Sequence, residues 1–149
     1  MKPFVVPAFV ALVCMSGIAQ ADCTSAVLDA PTLSTVFAEK TVCGRPGASY
    51  PGQGGASSAD RWQEYHNPSG ALVDFKRGAA DPVDPSKTVG SWSIDAQANK
   101  LVHQYTGGST FSWNVRGNVG GPYSFCTDAG AEHVVALVQA GNTGCGSYP

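Results

Sequence analysis

VGSWSIDAQANKLVHQYTGGSTFSWNVR, residues 89–116, decides how this chain folds. In its first run Gly90, Trp92 and Ile94 alternate with Val89, Ser91 and Ser93. In its last, Phe111, Trp113 and Val115 alternate with Thr110, Ser112 and Asn114. A period of two with one apolar and one polar side is the mark of an antiparallel strand with one buried face. Between the runs lie AQAN (96–99) and Gly107-Gly108, turn-length breaks that return the chain on itself.

The same theme extends in both directions. Upstream, WQEYH (62–66), the turn NPSG and ALVDFKRG (71–78) form a hairpin, and TVCGR (41–45) supplies an earlier strand. Downstream, GNVGG leads into PYSFCTD (122–128), and AGAE into HVVALV (133–138). This gives about eight strands in a meander, enough to close into a small barrel. Closure also removes unpaired sheet edges. A two-sheet sandwich is the alternative. One helix is expected, over DAPTLSTVFAEK (29–40), where Leu33, Val36 and Phe37 make a short apolar stripe.

The Gly90-Ser91-Trp92 triplet resembles the G-x-W of lipocalins and related calycins. In that family the motif marks the first barrel strand, and the resemblance implies a calycin-like barrel and carriage of small apolar ligands. Here at least three strands precede the triplet, so the likeness covers three residues and an architecture. The fold class read from the sequence is all-β with one short N-terminal helix, in a closed or partly open barrel.

The N-terminus, MKPFVVPAFVALVCMSGIAQA, has the layout of a secretory signal peptide: Lys2, an apolar run, and Ala19-Gln20-Ala21 before the expected cut. Asp22 before Cys23, and Val13 before Cys14, disfavour lipid attachment. The expectation is a soluble exported chain, periplasmic or secreted, with residues 22–149 as one domain and a Gly/Pro/Ser loop at 44–60. Net charge is −2, with 9 basic and 11 acidic residues and no like-charge run, which argues against a nucleic-acid partner. Short strands whose alternate faces carry Asp, Arg, Gln and Asn argue against a membrane span.

Cys23, Cys43, Cys126 and Cys145 would remain after cleavage, an even number that points to two disulfides. Three connectivities are possible. Cys43 and Cys126 fall in strands and Cys23 and Cys145 in the tails, so the expected pairing is 43–126 with 23–145, clipping the termini together. No close C-x₂₋₄-C spacing supports zinc.

DRWQEYH (60–66) is the densest chemical cluster. As a strand it places Trp62, Glu64 and His66 on one face, a carboxylate and an imidazole beside an aromatic. Asp74 on the next strand, His103 and Tyr105 complete the candidate ligand-binding set. The same Glu64/His66 pair could serve a hydrolase or a metal-dependent enzyme, although no third metal ligand is spaced to join it. No G-x-S-x-G elbow is present, and Asp81 and Asp84 in DPVDP read as a stiff surface loop. No catalytic residue, cofactor or metal is therefore assigned. The expected function is an exported, non-catalytic binding or interaction module, its partner a small ligand or another exported protein. A structural envelope protein is the further alternative.

Overall fold

The computed structural model describes residues 22–49, 61–75, 85–146 and 148–149. The expected signal segment, residues 50–60 of the Gly/Pro/Ser loop, and Asp81 and Asp84 lie outside the described residues.

Helix α1 (Ala30–Phe37) is followed by β1 (Lys40–Pro46), β2 (Trp62–His66), β3 (Ala71–Phe75), β4 (Ser86–Asp95), β5 (Lys100–Tyr105), β6 (Thr110–Gly117), β7 (Tyr123–Cys126) and β8 (Glu132–Ala140). Each strand pairs antiparallel with the next, and β1 pairs with β8 through seven residues from Lys40↔Ala140 to Pro46↔Val134. The sheet is a closed barrel, as the alternation and hairpin spacing predict, and not a sandwich.

The helix forms because its ends are specified. Asp29 caps it, its carboxylate accepting from Thr32 N at 2.9 Å, and Pro31 occupies the first turn, where no backbone donor is needed. Leu33, Val36 and Phe37 are the buried stripe. Ala30 N donates to Asn99 Oδ1 in the β4–β5 turn at 2.8 Å, and the Phe37 ring meets His66, Tyr123 and Phe125. The helix thereby covers the barrel end that carries the β2–β3, β4–β5 and β6–β7 turns. Its Leu33 and Phe37, with Val42, Leu101, Val115, Tyr123, Phe125 and Ala136 of the strands, fill the interior at this end. An eight-stranded barrel is just wide enough for its own side chains to do so.

Two glycines are explained by close approach. A Cβ on Gly90 would lie 2.1 Å from the Gln104 carbonyl oxygen, so β4 and β5 can pack here only with glycine. The register of β3 against β4 shifts at the same place, between Leu72 and Val73. The G-x-W likeness thus falls on β4, not on a first strand, and Gly90 answers a local need. On β1, a Cβ on Gly44 would lie 2.5 Å from Trp62 Cε2; its absence lets the indole lie across the strand.

The disulfides correct the expected pairing: they are Cys23–Cys126 and Cys43–Cys145, each with Cα atoms 5.8 Å apart. Cys43 and Cys126 alternate with the inward Val42 and Phe125, so both face outward, but β8 lies between their strands. Two strand spacings are roughly 9–10 Å, beyond the roughly 7 Å that a disulfide spans. Each tail is instead fastened to the outer wall, the N-terminal one on β7 and the C-terminal one on β1. The C-terminal tail covers β2 from outside, where Cys145 N donates to Gln63 Oε1 at 2.6 Å and Arg45 Nε donates to the Pro149 carbonyl at 2.9 Å.

Candidate functional site

Among the described residues, the end of the barrel opposite α1 is hollow. A cavity of about 500 Å³ is lined by Trp62, Glu64, His103, Tyr105, Phe111, Trp113, His133 and Val134. That volume lies within the range of small-molecule sites.

Its walls are aromatic for a reason visible in the strand register. Across the Gly107-Gly108 hairpin, β5 and β6 pair His103 with Phe111 and Leu101 with Trp113, so these side chains share the inner face. Phe111 stacks on Trp113 with centroids 5.5 Å apart and rings 2° from parallel, and Tyr105 meets Phe111 edge-on at 5.9 Å. Phe111 stands at the rim and is 40% exposed, whereas Trp113 is buried beneath it. His133 reaches the cavity at the irregularity where Phe125 pairs with Val134 but Cys126 pairs with Glu132, and its ring approaches Trp113 at 5.8 Å.

The floor is polar. Tyr105 Oη donates to Glu64 Oε2 at 3.0 Å, and the same oxygen lies 4.0 Å from His103 Nδ1. His103 Nε2 in turn meets His66 Nε2 at 2.9 Å, a contact in which one ring donates and the other accepts. Glu64 is 5% exposed and His103 1%. Burial pushes the Glu64 carboxyl up to about 8; the Tyr105 hydrogen bond works against this and nearby Asp74 adds to it. Burial likewise drives His103 down to about 3. His66 is held well below its ordinary range by burial and by His103, with the Lys40 backbone opposing. At neutral pH the floor is therefore an uncharged acid beside two uncharged imidazoles.

The residues singled out from sequence divide cleanly. Trp62, Glu64, His103 and Tyr105 come together on the cavity. Asp74 pairs across from Glu64 on β3, close enough to influence it electrostatically, but does not line the cavity. His66 shares the face of Trp62 and Glu64 yet lies deeper, its ring packed edge-on against Trp92 at 4.8 Å and Phe37 at 5.8 Å. The unit on the cavity is thus Glu64 with His103, not Glu64 with His66. Phe111, Trp113, His133 and Val134 were not among the expected site residues. The hairpin register carried the signal for Phe111 and Trp113; nothing in the sequence marked His133, which depends on the β8 irregularity.

No protein-family model, curated protein or solved structure matches this chain. The site's chemistry must be read from its own geometry. Among the described residues no three His, Cys, Asp or Glu side chains are grouped to hold a metal ion. The arrangement offers an apolar, aromatic enclosure with hydrogen-bonding groups at one end, the usual composition of a site that orients a small molecule by its polar terminus.

Proposed function

We propose that the protein is an exported binding module that takes a small, largely apolar molecule into the open end of its barrel. The observation that carries this reading is the one-ended interior: packed solid under α1, hollow and aromatic at the other end. A chain that needed only stability would gain by filling this volume, since buried apolar contacts stabilise and voids cost. The ligand's polar end would meet Glu64, His103 and Tyr105, and its body would lie among Trp62, Phe111 and Trp113. The two disulfides support the exported part of this reading, since such bonds persist in oxidising compartments. The outer faces of β4 and β5 carry exposed Ser91, Ser93, Asp95 and Gln104, which supports a water-facing wall.

Titration with the neutral fluorophore N-phenyl-1-naphthylamine tests this. The expected result is saturable 1:1 binding that Phe111→Arg, at the exposed rim, weakens at least tenfold without unfolding the barrel. Absence of saturable binding, or binding indifferent to that substitution, refutes the reading.

A second reading, acid–base catalysis on a bound substrate, is favoured by one observation: a carboxyl poised to titrate near 8 lies 4.0 Å from an imidazole on the cavity floor. It would use Glu64 and His103. Turnover of a bound compound, lost in Glu64→Gln while binding persists, would establish it.

A further inference from the structure

We propose that the ligand is a small organic cation, an arylalkylammonium, seated among Trp62, Tyr105, Phe111 and Trp113 with Glu64 as its counter-ion. This rests on the cavity being a ligand site, as argued above, and adds the charge of the occupant.

Four observations converge on a cation. The aromatic rings number four of the eight lining residues, and each ring face carries the negative end of a quadrupole that attracts ammonium groups. Neither Lys nor Arg lines the cavity among the described residues, so no described lining side chain is a permanent cation that would repel a cationic ligand or hold an anion. The carboxyl that faces the space, Glu64, has a second carboxylate, Asp74, as its cross-strand neighbour on β3. An anionic ligand would meet both; a cation would be stabilised by both. Finally, Tyr105 already donates to Glu64 Oε2, which holds the carboxyl in place for a partner entering from the cavity.

The other groups around Glu64 leave the sign unchanged. On β2 His66, and on β5 His103, are buried and uncharged at neutral pH. Tyr105 is on β5, and His133 of β8 lines the cavity beside Trp113. Lys87 on β4 pairs with Asp74 in register, but its own side chain is exposed and it does not line the cavity. The remaining inner side chains of β1, β6, β7 and α1 that pack here, Val42, Trp113, Phe125 and Phe37, carry no charge.

A cation that needs the carboxylate must expel the Glu64 proton when it binds. Affinity should therefore rise with pH while the free carboxyl is protonated, by as much as about tenfold per unit, and level off above about 8. Calorimetry on the oxidised protein with three compounds of similar size tests the idea: tryptamine, neutral 3-propylindole and anionic indole-3-acetate. Tryptamine should bind tightest at pH 8, its affinity should climb roughly 30–100-fold between pH 6 and 8, and buffers of different ionisation enthalpy should report about one proton released near pH 6.5. Glu64→Gln should abolish that climb and leave 3-propylindole within about twofold of the unsubstituted protein, since it removes only charge. Should that variant misfold, the pH series and the three-compound comparison on the unsubstituted protein decide alone. If 3-propylindole binds as tightly as tryptamine at pH 8, or tryptamine affinity is flat with pH, the cation is wrong while the cavity remains a ligand site. If none of the three binds at millimolar concentration, the cavity reading falls with it.

Discussion

Replacing Glu64 by glutamine should stabilise the protein, and the gain should grow as pH rises. The folded carboxyl ionises at about 8 and the unfolded one near 4.5, because burial opposes the charged form. Between those values the native state keeps a proton that the unfolded chain has released, so raising the pH favours unfolding. Each unit of difference corresponds to about 1.4 kcal/mol, which sets a limit of about 5 kcal/mol lost by pH 8. Solvent screening takes little from this, since the side chain is only 5% exposed. Glutamine has the same shape, keeps an oxygen to accept from Tyr105, and does not titrate. His66 and His103 act in the opposite sense: their folded-state values are depressed, so their contribution is present above about 6.5 and is lost as pH falls below it. Both imidazoles are present in both proteins and drop out of the comparison. Urea unfolding with disulfides intact, at half-unit steps from pH 4.5 to 8.5, should give curves that nearly coincide at the acid end. They should then separate by several kcal/mol at pH 8, with the variant the more stable. Parallel curves across the whole range would falsify the placement of an uncharged Glu64 on the cavity floor.

Three further outcomes can be checked. Non-reducing peptide mapping should recover Cys23 linked to Cys126 and Cys43 linked to Cys145; Cys145→Ser should cost about 4 kcal/mol, the loop-entropy value for the ring of roughly 40 residues that this bond closes when Cys23–Cys126 is intact, and a recovered 43–126 peptide would overturn the barrel order. Gly44→Ala places a methyl 2.5 Å from the Trp62 ring, so the indole must move; a loss of about 1–3 kcal/mol and a changed tryptophan emission are expected, and an unchanged spectrum counts against the contact. NMR titration between pH 8 and 5 should leave the His66 and His103 ring resonances in their neutral positions, and a protonation midpoint near 6.5 for either would show that the pair is not buried as described.

Alternation made the walls of this barrel legible. WQEYH alone puts Trp62 and Glu64 on one face, and the hairpin spacing around Gly107-Gly108 carries the order of β4, β5 and β6. What alternation does not encode is how far a ring of strands closes. The 2.9 Å contact between His66 and His103 joins β2 to β5 through the barrel interior, and no local spacing announces it. The cysteines show the same limit. Cys43 and Cys126 are both strand-borne, but β8 lies between β1 and β7, a neighbour relation that only closure creates. His133 was illegible for a different reason, because its access to the cavity depends on a one-residue irregularity rather than on the strand period.

The way the tails are fastened has a mechanical consequence. With Cys23 bonded to Cys126 and Cys43 to Cys145, the covalent route between the two ends of the domain bypasses most of the chain. Tension applied at the termini is shared by two parallel segments of about 20 residues each, 23–43 and 126–145. The strands from β2 to β6 hang between Cys43 and Cys126 as an unloaded loop. Stretched in an optical trap, the oxidised domain should stop extending at about 70 Å, and only a reductant would release the length stored in the rest of the barrel.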